Sequence, residues 1–469
     1  MTDAIRFFLS CVNVFFLLYL IGYSTFLFLS VVVGATELYR SKEYEQLQNK
    51  LWQNYHVPVS ILVPAYNEEV TVVETVRSLL ALDYTLYEIV VMDDGSRDDT
   101  TGVLVEAFHM TRVERPIHRQ LRCQPAEAIY ESHTEKVPIT LVRKKNGGKA
   151  DSLNMGINCA RYPYFICMDA DSVLQYDSLE RIVRPVLENE NVVAVGGSVR
   201  PANGVVIQRG RVVKYRLPRN LLACMQALEY DRSFLAARIL LDKFNGNLII
   251  SGAFGLFEKR TVVAAGGYDP STMGEDMELV VRLHEFCRAN HRPYQIRYAA
   301  NAVCWSQAPE RLRDLSKQRK RWQRGLFQCL WGHREMGCNP RYGVVGTVSY
   351  LYFLLYELLS PYIEVFGVVT ILLSIAMDML NPRYMLLYFG LYALYGALLS
   401  LTAFFSRLHT IDLRLSFGDL CKALLLCLFE ITFLRFHLAV VRATAFIGYK
   451  KNKLNWDKLE RQRLNQEAS

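Results

Sequence analysis

Glu88-Ile89-Val90-Val91-Met92-Asp93-Asp94-Gly95-Ser96 runs apolar from Ile89 to Met92 and is then stopped by two acids, a glycine and a serine. An apolar run this short, closed by turn residues, predicts a strand buried on both faces. The pattern recurs on either side. Val59-Ser60-Ile61-Leu62-Val63-Pro64 precedes it. Ile139 to Val142 and Tyr164 to Met168 follow, and the latter runs directly into Asp169-Ala170-Asp171. Glu68 to Leu82, Asp99 to Phe108 and Lys149 to Cys159 carry helical spacing between these runs. Strands alternating with helices predict an α/β domain, a Rossmann-like and mostly parallel sheet with right-handed crossovers. Ligands bind such sheets beyond the carboxyl ends of the strands, where both acidic segments sit. His109 to Val137 reads as a polar insertion, and Pro201 to Leu248 as a basic loop or membrane-contacting edge (Arg209, Arg211, Lys214, Arg216, Arg219).

The α/β pattern lies between apolar regions. Of 469 residues, 51% are hydrophobic, and Phe7 to Val33 holds no charged residue. That stretch is long enough to span a bilayer core of about 30 Å, and no small-residue cleavage site follows it, so an uncleaved span is expected. Lys and Arg after this span outnumber those before it, which puts the N-terminus outside and the main domain in the cytosol. Gly343 to Met377 reads as a span that Pro361 kinks or divides, and Tyr384 to Phe405 as a clean one. Leu415 to Gly448 carries Lys422, Glu430, Arg435, His437 and Arg442. Charges at membrane depth must face protein or water, so this segment crosses once against the charge rule, re-enters, or lies flat. Arg407 and Arg414 before it, and Lys450, Lys451 and Lys453 after it, mark the cytosolic side. The net charge of +8 suits cytosolic loops facing anionic lipid. No basic helix carries base-reading residues, so nucleic acid is not an expected partner. The 11 cysteines are scattered without a CxxC pair, which reads as reduced thiols.

Six segments carry chemistry, and all but Pro64 to Glu68 have a plainer alternative. Asp169 and Asp171, two apart in an extended segment, point to one side and suit Mg²⁺ or Mn²⁺; a turn or helix cap is the alternative. Asp93-Asp94 suits a nucleobase or ribose contact, or an Asx-turn. Pro64-Ala65-Tyr66-Asn67-Glu68 ends its strand where it lines the same pocket. Gly147-Gly148-Lys149 opens a helix and suits a phosphate, or a simple turn into the helix. Gly274-Glu275-Asp276 suits a helix cap or a general base. Gln318-Arg319-Lys320-Arg321-Trp322 sits in the basic, amphipathic stretch Arg311 to Glu335, which suits a helix at a membrane surface. There Arg321 grips phosphate, or snorkels beside an interfacial Trp322.

In their order and spacing these segments resemble the membrane-embedded family-2 glycosyltransferases, the synthases of cellulose, chitin, hyaluronan and poly-β-1,6-N-acetylglucosamine. The resemblance spans roughly residues 57 to 335, and the five-residue pattern ending at Trp322 is its most specific element. It implies a GT-A fold and an inverting, metal-dependent transfer with Mg²⁺ or Mn²⁺ on Asp169 and Asp171. It implies nucleotide contacts from Ala65, Tyr66, Glu68, Asp93, Asp94 and Lys149, diphosphate contacts from Gln318 and Arg321, and Asp276 as base. Ser251, Gly252, Ala253 and Phe254, with Trp322, are then expected to line the acceptor. Ser251-Gly252-Ala253 departs from the Cys-Gly-Ser version of cellulose synthases, which argues against a cellulose product.

The leading expectation is therefore a synthase that extends a β-linked polysaccharide from a nucleotide-sugar donor, UDP-linked by family habit, and passes it across the membrane. Formation of a glycolipid by a single transfer to a lipid acceptor is the alternative, since ceramide glucosyltransferases show similar motifs. A catalytically silent sensor has no need of Asp169, Asp171, Asp276 and Trp322 together. The expected layout is a transmembrane helix at 1–36, a linker at 37–56 and the catalytic domain at 57–310. An interfacial helix at 311–342, a membrane region at 343–449 and a cytosolic tail at 450–469 complete it. Expected partners are donor, glycan or lipid acceptor and membrane lipid, with room for an accessory export or regulatory subunit. The expected location is a bacterial inner membrane.

Overall fold

The structure, a computed structural model, describes residues 2–48, 56–208, 210–379, 382–411 and 416–449. Arg209, Arg414, the linker residues 49–55 and the tail with Lys450, Lys451 and Lys453 lie outside the described residues.

The apolar runs form the middle of a ten-stranded sheet. In chain order its strands and those of a separate hairpin are β1 (Val59–Ala65), β2 (Tyr87–Asp93), β3 (Thr111–Val113), β4 (Ala126–Ser132), β5 (Ile139–Lys144), β6 (Tyr164–Cys167), β7 (Val173–Leu174), β8 (Val192–Pro201), β9 (Val205–Gln208), β10 (Arg211–Tyr215), β11 (Gly255–Glu258) and β12 (Gln295–Ser306). The sheet order is β3-β4-β5-β2-β1-β6-β11-β8-β12-β7, and β9 pairs with β10 alone. β5, β2, β1 and β6 run parallel, as do β8 and β12.

Period-two alternation with both faces buried explains why the central strands are mostly apolar. Ile61, Val63, Ile89, Val91, Leu141 and Ile166 face one core, shared with the Val72–Leu80 and Ser178–Glu188 helices. Leu62, Val90, Met92, Val142, Phe165 and Cys167 face another, shared with the Lys149–Cys159 and Glu275–Ala289 helices. The mixed sheet is parallel at its centre, the α/β arrangement expected from the alternating strands and helices. β11 enters antiparallel between β6 and β8.

Two expectations are corrected. The polar stretch 109–137 is no plain insertion: β3 and β4 in it pair antiparallel and extend the sheet edge beyond β5. The half-exposed faces of β4 dilute the apolar signal that marks a buried strand. The segment 201–248 holds the β9–β10 hairpin, the Leu221–Glu229 helix, a π-helical stretch at Tyr230–Ala236 and the Ala237–Asp242 helix.

Among the described residues, three helical stretches are long and apolar enough to cross a membrane: Phe7–Ser41, Met385–Ser406 and Phe417–Phe446. Val345–Leu358 and Ser360–Ala376 make a fourth only if taken together across a 49° bend. The bend falls beside Pro361, in the first turn of the second helix. The bend is the kink or division expected at Pro361, and the segment read as ambiguous is a long apolar helix. Lys422, Glu430, Arg435 and Arg442 have protein partners, as membrane depth demands. Glu430 receives two hydrogen bonds from Arg232, at 2.6 and 3.0 Å. Arg435 meets Glu364 at 2.7 Å, and Lys422 donates to the carbonyl of Pro218 at 2.5 Å. All eleven cysteines are free.

Candidate active site

The carboxyl ends of β1, β2 and β6 open onto one cavity of ≈2790 Å³. β1 delivers Ala65, Tyr66 and Glu68 to its wall, β2 delivers Asp94, and β6 delivers Asp169 and Asp171. Ser251, Gly252 and Ala253 approach from the turn before β11, and Asp276 from the first turn of the Glu275–Ala289 helix. Gln318, Arg321 and Trp322 complete the wall from the Leu312–Gly332 helix. That helix is a docked wall as well as an amphipathic surface helix. Its Leu315, Arg319, Gln323, Cys329 and Leu330 are buried, while Trp331 is exposed.

Two expected contacts stand off the wall. Asp93 is buried behind it, accepting the Ser96 N–H at 2.8 Å and the Thr101 hydroxyl. Both oxygens are engaged in closing the turn after β2. Phe254 is wholly buried and packs on Gly197, where a Cβ would lie within 2.1 Å of its ring.

The helix opened by Gly147-Gly148-Lys149 is also differently employed. Asp94 accepts the N–H of Gly147 at 3.0 Å, that of Gly148 at 2.7 Å and the buried Lys144 ammonium at 2.5 Å. Lys144 meets Asp151 as well, at 2.7 Å. A side-chain carboxylate therefore occupies the N-terminal position read as a phosphate cradle. Gly148 has φ +88°, a conformation glycine adopts without strain.

Lys149 instead reaches across the cavity floor to Asp169 at 2.5 Å and Glu275 at 3.6 Å. Burial opposes its charge, but Asp169, Glu275 and Asp276 outweigh burial and hold its pKa above the usual value. Burial raises the Glu275 pKa, with Lys149 opposing and Asp276 adding to the rise. Burial, and then the charge of Asp169, push Asp171 up to about 6. Two crowded carboxylates of this kind favour a divalent cation, which removes both penalties. No group of three or more His, Cys, Asp or Glu side chains suited to a metal occurs among the described residues. A metal on Asp169 and Asp171 would take its other ligands from substrate oxygens and water, the habit of Mg²⁺. The residues present fit such an ion.

Asp276 is held by its surroundings. It accepts the Gly252 N–H at 3.0 Å and the Met277 N–H at 2.8 Å. A Cβ on Gly252 would fall 3.1 Å from the Lys149 ammonium and 3.4 Å from the Asp276 Cβ, so a side chain there would crowd both groups. The Leu312–Gly332 helix meets the same loop backbone to backbone. A Cβ on Gly325 would lie 2.9 Å from the Gly274 nitrogen. Gln328 adds a hydrogen bond from the Met273 N–H at 2.8 Å. This contact holds the helix that carries Arg321 and Trp322 against the loop that leads into Asp276.

Sequence reading missed the lining contributed by Tyr230, Asp231 and Arg238, because the basic start of 201–248 masks the helical spacing beyond Asn220. It also missed Arg319, inside the motif itself.

Residues 56–325 match the family model described as glycosyltransferase like family 2, and the chain belongs to that family. Two curated relatives are poly-β-1,6-N-acetyl-D-glucosamine synthases. The one from Staphylococcus aureus strain COL is 29% identical over 317 residues, 66% of this chain and 66% of its own length. The one from Staphylococcus epidermidis strain ATCC 35984 is 29% identical over 315 residues, with the same coverage of 66% on each side. The match therefore spans just under two thirds of those relatives. The fold is similar to that of the mannosyltransferase PcManGT from Pyrobaculum calidifontis, solved in complex with GDP-Man and Mn²⁺. The TM-score is 0.52 at 17% identity, covering 82% of this chain and 99% of that one.

Proposed function

We propose that the chain is a membrane-embedded inverting synthase that transfers N-acetylglucosamine from a UDP-linked donor to a growing β-linked polysaccharide and feeds the product toward the membrane. One observation carries most of the weight. Asp169, Asp171, Asp276, Arg321 and Trp322 line a single cavity that continues to Tyr352, Phe353, Glu357 and Arg442 among the apolar C-terminal helices. The names of the curated relatives support the sugar and the linkage class.

In this reading the nucleoside lies against Ala65, Tyr66, Glu68 and Asp94, with Lys149 and Gln318 beside the diphosphate. Arg321 grips the diphosphate oxygens with its guanidinium fork. Asp169 and Asp171 hold Mg²⁺ or Mn²⁺, which supplies charge neutralisation at the diphosphate. Asp276 takes the proton of the acceptor hydroxyl as that oxygen attacks the anomeric carbon from the face opposite the diphosphate. A single displacement of this kind turns an α-linked donor into a β-linkage. Holding the two substrates in line supplies much of the remaining acceleration. Trp322 carries the acceptor sugar on its ring, beside Ser251, Gly252 and Ala253. The catalytic domain lies in the cytosol, where nucleotide sugars are available, and the apolar helices cross the membrane more than once.

The test is a nucleoside diphosphate release assay on the full chain in nanodiscs with Mg²⁺ or Mn²⁺ and a panel of UDP- and GDP-sugars. Release with UDP-N-acetylglucosamine, lost in Asp276→Asn, together with a product ladder on a gel, is the expected result. A single-sugar lipid product would overturn polymer synthesis in favour of glycolipid formation. Release with a GDP-sugar alone would overturn the donor.

A further inference from the structure

Arg319 stands between the expected diphosphate and acceptor contacts, yet it is buried at 6% exposure. Its guanidinium makes a two-pronged contact with Glu229, at 3.0 and 2.6 Å. Glu229 ends the Leu221–Glu229 helix, which an Asn220 cap anchors through the N–H groups of Leu222 and Ala223. The Arg319 Cζ lies 4.6 Å from the centroid of the Trp322 ring. Three residues apart on one helix, the two side chains share a face. Trp322 itself is 38% exposed and lines the cavity, as does Arg319.

We infer that Arg319, locked by Glu229, is a positioning residue for the acceptor: its guanidinium fixes the plane of the Trp322 ring, so that the ring meets each incoming sugar in one orientation. The chemistry is specific. A tryptophan on a helix surface samples several rotamers, and a sugar stacks by its C–H face only when the ring plane matches. A cation against an indole face holds that plane. The guanidinium is planar and delocalised, so it can stack on the ring while its fork edge bonds Glu229, which an ammonium cannot do. The buried Arg319 Nε has no hydrogen-bond partner, so the guanidinium's hydrogen bonds go through its two terminal nitrogens to Glu229. Glu229 also leads directly into the π-helical Tyr230–Ala236 stretch, whose Tyr230 and Asp231 line the same cavity. Arg319 thereby ties the acceptor platform to a second wall of the cavity. The inference rests on the proposed role of Trp322.

The experiment uses the full chain in nanodiscs with UDP-N-acetylglucosamine and a β-1,6-linked N-acetylglucosamine tetrasaccharide as acceptor. Wild type is compared with Arg319→Gln, Arg319→Lys, Glu229→Gln, Trp322→Ala and the Arg319→Gln/Trp322→Ala double variant. The expected result is an acceptor KM raised about tenfold in Arg319→Gln, with donor KM within about twofold of wild type. Arg319→Lys should restore little, because charge without the planar fork does not hold the ring. The double variant should be no worse than Trp322→Ala alone. The tryptophan emission difference between wild type and Trp322→Phe should change in Arg319→Gln. Glu229→Gln leaves Arg319 one acceptor oxygen where the carboxylate offered two, so it loosens the lock from the other end of the pair and gives the same KM shift if Arg319→Gln does not fold. Additive losses in the double variant, or a shift in donor KM instead, would overturn the inference while leaving Trp322 as the acceptor platform. An unchanged acceptor KM in Trp322→Ala would remove the platform and the inference together.

Discussion

At the scale of single residues, neighbouring acids in this chain have unlike tasks. Asp276 faces the cavity, oriented by the N–H groups of Gly252 and Met277. In the proposed mechanism Asp276→Asn keeps the shape and removes the base, so kcat should fall by about 10²- to 10⁴-fold. Affinity for UDP, the nucleotide of the proposed donor, measured by calorimetry should stay close to wild type. Asp93 lies two residues before Gly95 in a motif that reads as a ligand contact, but its oxygens close a turn. Asp93→Ala leaves a buried N–H and a hydroxyl without partners, so it should cost about 1–3 kcal/mol of stability. A lowered melting temperature with little change in affinity for the nucleotide of the proposed donor would bear this out; a selective loss of that affinity would return Asp93 to the ligand. Asp93 and Asp94 cannot be told apart by pattern. Lys144 reaches Asp94 from the end of β5, and Thr101 reaches Asp93 from the following helix. Local spacing carries neither contact.

At the scale of elements, the site is built by docking one helix on the entry to another. Gly325 of the Leu312–Gly332 helix touches Gly274 with no room for a side chain. Gly325→Ala must lift the helix that carries Arg321 and Trp322 away from Asp276. Displacement of about 1 Å at a reacting pair can cost on the order of 10²-fold in rate, and kcat/KM should fall on that scale while the fold persists by circular dichroism. The far end of the same helix pair is clamped by His333, which meets Glu285 at 2.8 Å and Glu278 at 3.4 Å. Burial opposes the imidazolium, but the two carboxylates outweigh it and raise the His333 pKa. The native state then binds the proton more tightly than the unfolded state. The clamp's contribution is complete below the unfolded value of about 6.5 and fades as pH rises through the higher native value. The melting temperature of wild type should exceed that of His333→Gln most at pH below about 6.5, with the gap narrowing at higher pH. A gap independent of pH would assign His333 to packing alone.

At the scale of the whole molecule, the catalytic domain and the apolar helices are joined by buried charges. Arg232, in the π-helical stretch beyond Glu229, pairs with Glu430 in the Phe417–Phe446 helix and also donates to Ser400 at 2.9 Å. Removing one partner leaves the other charge buried, so Glu430→Leu should cost about 3–5 kcal/mol. The Arg232→Met/Glu430→Leu double variant should recover much of that loss in a detergent melting assay. Equal losses in single and double variants would show that the pair does more than balance charge. The π-helical turns at both residues depart from regular helix at the junction of the two regions, a feature often found at functional sites.

Much of this molecule is legible along the chain. The central strands follow from short apolar runs closed by acids and glycines, because a strand buried on both faces has no other composition open to it. The docked helix and the long apolar segments follow from their spacing and length. The edge strands β3 and β4 do not, since half-exposed strands carry a weak pattern. Nor does the intact helix at 417–446, whose charges read as a contradiction until Arg232, Glu364 and Pro218 arrive from elsewhere in the chain. Local periodicity and turn chemistry therefore specify which elements form and roughly where the acids stand. Contacts between segments distant in sequence decide which acid faces the cavity, which phosphate-like cradle is filled by Asp94, and which glycines let backbone meet backbone. The physical reason is that hydrogen-bond partners, burial and steric room are properties of the folded neighbourhood, and a one-dimensional pattern holds only the half of each contact that lies on its own strand or helix.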